Sequence, residues 1–215
     1  MLAGSTGKHI AQRAGLGRPG ARPEYAFGRR ALLLATLPLM AQAAPMLKAG
    51  VFDPAQPAPE FTLKGSDGAA LTLARFKGRL VLLVFGFTNC PEVCPTTLAT
   101  LAQARKALGA DGSEVQVVYV TVDPARDDVA RIRQYLTAFD PSFIGGTETP
   151  AKLAEMRKRY GVVAEKIASA QPNAYGMNHS TSVWLIDRAG KLKAMMPYGH
   201  EAKDFVHDLK LLLQR

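Results

Sequence analysis

The feature that most constrains the fold is a continuous apolar stretch, residues 80–87, that runs directly into the only two cysteines of the chain, Cys90 and Cys94. An apolar run of this length without alternation is typical of a strand buried on both faces of a sheet. A helical pattern begins at residue 95. The order predicts a strand-to-helix turn that carries both thiols. Because a helix N-terminus stabilises anions, both cysteines are expected to have lowered pKa values.

The spacing of the two cysteines is compatible with two kinds of chemistry. Four residues of helix rise about 6 Å, which suits either a disulfide or two thiolates on one soft metal ion. A third interpretation, two small buried hydrophobic residues, requires neither this spacing nor a helix start. The cysteine pair alone therefore leaves a dithiol and a metal clamp open.

Strand and helix patterns alternate along the rest of the chain. Strands are predicted at 80–87, 115–122 and 182–186, and helices at 95–108, 127–139, 150–160 and 201–213. A hairpin is predicted at 61–73, and 191–196 pairs with the strand before it. These elements predict an α/β, thioredoxin-like fold with a central mixed, mainly parallel sheet flanked by helices and an N-terminal β-hairpin extension. Sites in such sheets form at the carboxyl ends of strands, where the cysteine turn lies.

Composition divides the chain into three segments: an N-terminal extension at 1–44, a Pro/Ala-rich linker at 45–59 and a folded domain at 60–215. The net charge is +9, yet six basic residues and one acidic residue fall within 1–43. The surplus of positive charge in the rest of the chain is modest, and that part contains no basic run with interleaved aromatic residues. A nucleic-acid partner is therefore not expected.

The N-terminal extension has the order of an export signal. Arg29 and Arg30 precede a short apolar run at 31–40, and the triplet at 41–43 matches an A-x-A cleavage pattern. We therefore expect a periplasmic protein, either soluble after cleavage or tethered to the inner membrane by an uncleaved anchor. In that oxidising compartment a cysteine pair tends to form a disulfide unless it is reduced or metallated.

A third metal ligand is expected to be a histidine, and the chain has four. His9 lies in the export segment, while His200 and His207 lie before and within the last helix. His179 precedes the strand at 181–186, and in a thioredoxin-like sheet that loop lies beside the cysteine turn. Position therefore favours His179, with Met177 as a neighbour more suited to packing than to ligation.

Three segments of the chain resemble the Sco/SenC family of copper-binding, thioredoxin-fold assembly proteins for cytochrome c oxidase. They are GFTNCPEVCP at 86–95, VTVDPARD at 120–127, and His179-Ser180 before an apolar strand that ends in Asp187. The resemblance spans about residues 58–210. It implies copper bound by Cys90, Cys94 and His179, with the copper-site subunit of cytochrome c oxidase as partner. Other periplasmic copper chaperones or thiol reductants are further partners to be expected.

The chain departs from the family pattern at two positions beside the predicted ligands. Asn89 stands where the family commonly has His, and Asn178 where it commonly has Asp. An acidic partner would orient a ligating imidazole, so Asn178 is expected to alter affinity or redox preference. Asp123 is predicted either to support the site as an outer carboxylate or to cap the Asp-Pro turn.

Two functions from different classes follow. The first is a copper metallochaperone that passes copper to the oxidase by ligand exchange. The alternative is a thiol:disulfide oxidoreductase that uses Cys90 and Cys94 to reduce the target's cysteines and does not need His179. Against the alternative, the chain lacks a proline immediately before the strand that begins at Thr181, where thioredoxins have one. Peroxidase chemistry is disfavoured because residues 86–90 lack the proline of the peroxiredoxin pattern.

Overall fold

A computed structural model describes residues 46–168 and 175–214, together with Gly20. Eight strands form one sheet: β1 (Gly50–Pro57), β2 (Thr62–Gly65), β3 (Ala70–Thr72), β4 (Leu80–Gly86), β5 (Val115–Thr121), β6 (Ile144–Thr147), β9 (Val183–Ile186) and β10 (Lys191–Met196). A separate antiparallel hairpin consists of β7 (Ala164–Ala168) and β8 (Tyr175–His179). The helices are α1 (Val93–Ala107), α2 (Val129–Thr137), α3 (Pro150–Arg159) and α4 (Ala202–Leu213).

The main sheet has the strand order β1-β10-β9-β4-β5-β6-β2-β3. Only the β4–β5 and β5–β6 pairs are parallel, and the other five neighbouring pairs are antiparallel. The predicted thioredoxin-like fold with a mixed sheet is confirmed. The expectation that the sheet is mainly parallel is wrong, because parallel neighbours need a crossover connection and only the β4-α1-β5 and β5-α2-β6 segments supply one within the sheet.

Strand β4 lies in the centre of the sheet and is buried on both faces, as its unbroken apolar sequence predicts. Alternate side chains enter two hydrophobic clusters: Leu80, Leu82 and Val84 in one, and Val81, Leu83 and Phe85 in the other. Helices α1, α2 and α4 cover the first face, and α3 covers the second. Burial of each such side chain contributes about 1.5–3 kcal/mol to the stability of the folded state. The turn that follows Gly86 therefore extends from a strand that is buried along its whole length.

The boundaries of α2 and α3 follow from local capping. The Asp128 side chain accepts the Arg131 amide at 2.7 Å at the start of α2. The Thr149 side chain caps α3, whose first residue is Pro150. Gly161 follows the end of α3 with a φ of 68°, which suits glycine. These ends lie within two residues of the predicted helices at 127–139 and 150–160.

Strand β1 corrects the predicted linker at 45–59. Residues Gly50–Pro57 pair antiparallel with β10 and form one edge of the main sheet, with a register shift between Val51 and Gln56. The Pro/Ala-rich sequence lacks the alternation of a strand, and most of its side chains are exposed. Prolines are tolerated at an edge, where one side of the strand makes no ladder bonds. Backbone pairing with β10 therefore decides the conformation, and local composition does not reveal it.

The predicted N-terminal extension at 1–44, with its export signal or anchor, lies outside the described residues apart from Gly20. Within 46–168 and 175–214, none of the helices combines the length and the apolar character needed to cross a membrane.

Candidate metal centre

The cysteine turn joins the buried end of β4 to the first turn of α1. The Cys90 amide donates to the Phe87 carbonyl at 3.1 Å, which closes the turn. The Cys94 amide donates to the Cys90 sulfur at 3.4 Å. Glu92, the residue at the N-cap position, makes no side-chain capping bond. The Cys90 sulfur therefore takes the place of a capping oxygen for a first-turn amide of α1.

His179 reaches the turn from a strand that the sequence pattern does not predict. It is the last residue of β8, where a loop was expected, and it pairs with Ala164 of β7. Its Nδ1 lies 2.8 Å from the Ser180 carbonyl oxygen. Because a carbonyl only accepts, the neutral ring carries its proton on Nδ1 and leaves the Nε2 lone pair free. That Nε2 atom lies 3.6 Å from the Cys94 sulfur.

The structure brings Cys90, Cys94 and His179 together. Their two sulfur atoms and one ring nitrogen all lie within 4.8 Å of one another. Metal–sulfur and metal–nitrogen bonds are about 2.0–2.3 Å long, so small side-chain rotations would bring all three atoms onto one ion. Both cysteines are free thiols. Cys94 is only 2% exposed, whereas Cys90 and His179 are half-buried, so a ligand entering from solvent meets Cys90 and His179 first.

The two thiols have opposite pKa shifts, which corrects the expectation that both are lowered. The Cys94 thiol donates to the Cys90 sulfur, and this bond lowers the pKa of Cys90 to about 5. The same bond raises the pKa of Cys94, and burial raises it further. A second thiolate beside the first would place like charges together in a buried position. In the metal-free protein Cys90 is therefore the thiolate and Cys94 its hydrogen-bond donor.

This asymmetry predicts selective alkylation of the reduced, metal-free protein. Iodoacetamide is expected to modify Cys90 well before Cys94, because Cys90 is the more exposed thiol and is already ionised. Its rate should change little between about pH 6 and 8, whereas a thiol with an ordinary pKa of about 8.5 would react roughly tenfold faster per pH unit. Peptide mass spectrometry of timed samples measures both rates. Equal modification of the two cysteines would contradict the assignment.

The turn is also held by Asp127, a residue that lies within the VTVDPARD segment but was not predicted to have a role of its own. Its carboxylate accepts the Thr88 amide at 3.0 Å and the Thr88 hydroxyl at 2.6 Å. It also accepts the Thr121 hydroxyl at 2.7 Å. The Asp127 side chain is fully buried. This carboxylate therefore joins the end of β5 to the residues just before Cys90.

Asp123 lies close to the site without a direct bond to His179 among the described residues. Its carboxylate accepts the Tyr175 hydroxyl at 2.7 Å and also accepts from the Arg126 guanidinium. Its backbone carbonyl accepts the Arg126 and Asp127 amides, which forms the Asp-Pro turn. Asp123 thus combines a turn-forming carbonyl with a carboxylate that reaches β8.

The remaining candidates take other positions. The Nδ1 atoms of His200 and His207 lie 3.3 and 2.8 Å from carboxylate oxygens of Asp204 and Asp208. Met177 packs against one of the two hydrophobic clusters, as predicted.

The two asparagines that depart from the family pattern lie outside the ligand group. The Asn89 side chain accepts from Arg131. Asn178 is exposed, and residues 178 and 179 alternate in direction along the strand. An acid at position 178 would therefore point away from the His179 ring. The Ser180 carbonyl orients that ring instead.

Comparisons with known proteins agree on one family. A model of the SCO1/SenC family matches residues 52–214. The mouse protein named SCO2 homolog, mitochondrial, is 32% identical over 153 residues, which cover 70% of this chain and 60% of the mouse protein. The chain thus spans less than two thirds of the length of this curated relative.

Two solved structures share the fold of this chain over most of its length. Copper-bound ScoI of Bradyrhizobium japonicum is 33% identical with a TM-score of 0.67, and the match covers 72% of this chain and 98% of that one. Apo Sco1 of Thermus thermophilus is 32% identical with a TM-score of 0.71, and the match covers 80% and 99%, respectively.

Proposed function

Because the chain belongs to the SCO1/SenC family, we propose that it binds copper through Cys90, Cys94 and His179 and delivers it to the copper-site subunit of cytochrome c oxidase during assembly. The observation that carries this proposal is the convergence of two sulfur atoms and one imidazole nitrogen within 4.8 Å. The same convergence is expected of a copper carrier, because the ion must be held by few ligands and released to a partner. The copper bound to the Bradyrhizobium relative supports the choice of metal.

The donor set favours copper over zinc. Thiolates are soft ligands that select Cu(I), and two thiolates with one imidazole can also hold Cu(II) when a further ligand is added. A structural zinc site normally has four protein ligands. In the part of the chain that the structure describes, the group consists of three residues. A three-ligand site leaves one side of the ion open to an incoming ligand.

Differences in burial suggest an order for the transfer. Cys90 and His179 are half-buried, and Cys94 is buried. A partner that approaches the cysteine turn would therefore reach the Cys90 and His179 sides of the ion first. Exchange of these two ligands would leave Cys94 as the last to release copper. The partner is expected to dock on the surface around residues 86–95.

The proposal is tested by anaerobic Cu(I) competition against a chromophoric chelator, with the reduced protein and its His179→Ala variant. We expect one tightly bound copper per chain, and at least a tenfold weaker affinity in the variant, because even the loss of an outer partner of a metal ligand costs about 10- to 100-fold. His207→Ala is the matched control, because His207 contacts Asp208 outside the site. Copper binding that is absent, or that does not depend on His179, would overturn the three-ligand site.

The delivery step needs a separate experiment in cells. Deletion of the gene is expected to lower cytochrome c oxidase activity in copper-poor medium, and the wild-type gene but not His179→Ala should restore it. The oxidase is quantified by its absorbance and by its activity per haem. Unchanged oxidase activity in the deletion strain would count against delivery even if the protein binds copper.

A thiol:disulfide oxidoreductase is the second candidate, and the opposite pKa shifts of the two thiols favour it. A half-buried thiolate at Cys90 and a buried thiol at Cys94 resemble a nucleophile and a resolving thiol. Its substrate would be a disulfide of the oxidase subunit, and a thiol reductant would restore Cys90 and Cys94. Copper-free reduction of a target disulfide, together with full biological activity of His179→Ala, would favour this function over copper delivery.

We also propose that residues 1–44 direct the protein to the periplasm, where they are either cleaved or retained as an inner-membrane anchor. Export would place the copper site in the compartment where a bacterial oxidase exposes its copper-site subunit. Cell fractionation with an antibody to residues 46–215 tests this location. Recovery of the protein in the cytoplasm would overturn it.

A further inference from the structure

The hairpin that carries His179 is attached to the domain by few backbone bonds. Strands β7 and β8 pair with each other and with no other strand among the described residues. An isolated two-stranded hairpin is only marginally stable in water. Side-chain contacts must therefore fix its orientation against the main sheet. One set of such contacts lies at Tyr175, at the opposite end of β8 from His179.

Tyr175 is bound on several sides at once. Its hydroxyl donates to the Asp123 carboxylate at 2.7 Å. The Arg126 guanidinium carbon lies 3.7 Å from the centre of its ring, and the Lys166 ammonium lies 4.4 Å from the same point. Its backbone carbonyl accepts from Arg126 at 3.1 Å. A hydrogen bond, two cation–π contacts and a backbone bond thus meet at one residue.

Two of the partners belong to the body of the domain. Asp123 is 1% exposed and follows β5, and Arg126 lies in the same loop. Lys166, by contrast, lies on β7 and links the two strands of the hairpin. The Arg126 guanidinium also lies 5.9 Å from the centre of the Phe87 ring. Phe87 in turn meets the His179 ring edge to face, with centroids 5.7 Å apart. The β5–α2 loop therefore contacts Tyr175 directly and reaches the His179 end of β8 through Phe87.

Strand geometry connects these contacts to the metal site. Residues 175, 177 and 179 lie on one side of β8, and four residues of strand span about 13 Å. A small rotation of the hairpin would displace the His179 ring from Cys94. Metal–ligand bond lengths tolerate deviations of only about 0.2 Å.

We propose that Tyr175, held by Asp123 and Arg126, is a positioning residue that fixes β8 so that the His179 Nε2 atom faces the two cysteines. The effect on metal affinity rests on the proposed copper site. The effect on the position of His179 rests only on contacts within the metal-free protein. Burial and the bond to Asp123 raise the pKa of Tyr175, so its hydroxyl keeps the proton that it donates.

The first test uses Cu(II)-loaded protein and compares Tyr175→Ala and Tyr175→Phe with the wild type. In Tyr175→Ala we expect copper affinity to fall about 10- to 100-fold, as for other outer partners of metal ligands. The imidazole nitrogen coupling in the electron spin echo spectrum should disappear while the sulfur-to-copper absorption band persists. Tyr175→Phe keeps the ring contacts and should lose less affinity. Retained nitrogen coupling in Tyr175→Ala would overturn the proposal.

The control for folding is Tyr160→Phe. Tyr160 also donates a hydroxyl hydrogen bond, at 2.6 Å to the Pro59 carbonyl, but from the hydrophobic core. This variant should lose stability without losing the nitrogen coupling. If Tyr175→Ala does not fold, the same nitrogen coupling and copper affinity are measured on Tyr175→Phe and Arg126→Gln instead. Wild-type nitrogen coupling and affinity in both of these would overturn the proposal.

The second test needs no copper. Amide hydrogen exchange of residues 176–179 is expected to accelerate about tenfold or more in Tyr175→Ala, because the hairpin opens locally when its anchor is removed. Unchanged exchange would overturn the positioning role. If the wild type binds no copper but exchange does accelerate, the proposed function fails and the positioning of His179 stands. The two failures are therefore distinguishable.

Discussion

Replacement of Asp127 by alanine is expected to lower the free energy of unfolding by about 2–4 kcal/mol, because a hydrogen-bond donor left without a partner in a buried position costs about 1–3 kcal/mol. The carboxylate is fully buried and accepts three hydrogen bonds, two from Thr88 and one from Thr121. Removal leaves the buried Thr121 hydroxyl without an acceptor, and the two donors of the half-buried Thr88 lose their charged acceptor. Because Thr88 lies two residues before Cys90, the cysteine turn should loosen and copper affinity should also fall.

Urea unfolding monitored by circular dichroism measures this loss as a lower midpoint with an unchanged slope. Asp128→Ala is the matched control, since it removes the neighbouring carboxylate. Asp128 is exposed and caps α2 through the Arg131 amide. Loss of such a cap costs about 1 kcal/mol. Equal destabilisation by the two variants would show that the buried hydrogen bonds of Asp127 contribute no more to stability than the exposed helix cap at Asp128.

Replacement of Gly86 by valine is expected to damage both stability and the copper site. A Cβ atom at this position would lie 2.8 Å from the Tyr119 hydroxyl oxygen and 2.9 Å from the Cys94 sulfur. Tyr119 is fully buried, so neither neighbour can move away into solvent. Overpacking of this kind costs about 1–3 kcal/mol, and valine should reach the upper end. Displacement of the Cys94 sulfur should weaken Cu(I) binding about 10- to 100-fold, as for other residues that support metal ligands.

The comparison variant is Gly50→Val, a glycine that also lies in a strand of the main sheet. A Cβ atom there would meet only the Met195 carbonyl oxygen, at an ordinary 3.6 Å. Thermal unfolding and Cu(I) competition on the two variants separate the effect of the contact from the effect of valine itself. Copper affinity in Gly86→Val equal to that of Gly50→Val would refute a role for Gly86 in seating Cys94.

Much of the fold could be predicted because its signals are local. Strand β4 is an unbroken apolar run, and the ends of α2 and α3 are marked by Asp128, Thr149 and Pro150. Strands β1, β7 and β8 could not be predicted in this way. The side chains of β1 and β7 are mostly exposed and those of β8 are mostly half-buried, so no alternation of buried and exposed residues marks these strands. Each strand depends on a backbone partner supplied by another segment.

The candidate site also combines features that follow from local sequence with features that depend on distant segments. Cys90 and Cys94 lie within one turn, so their proximity follows from the spacing. The opposite pKa shifts of the two thiols do not follow from the spacing, because they depend on which thiol is buried and which one donates a hydrogen bond to the other. The roles of Asp127 and Tyr175 are also absent from the local pattern. Each residue acts through contacts with segments that are distant in the chain.

The amino-acid sequence by itself determined the strand-to-helix turn, the two thiols that it carries and the thioredoxin-like order of elements, because each depends on residues close together in the chain. Only the tertiary structure decided that the His179 Nε2 atom lies 3.6 Å from the Cys94 sulfur, across 85 residues of sequence. It also decided that the β5–α2 loop contacts both the cysteine turn and β8. The physical reason is that such contacts arise from packing and backbone pairing between distant segments, which local propensity and spacing do not encode.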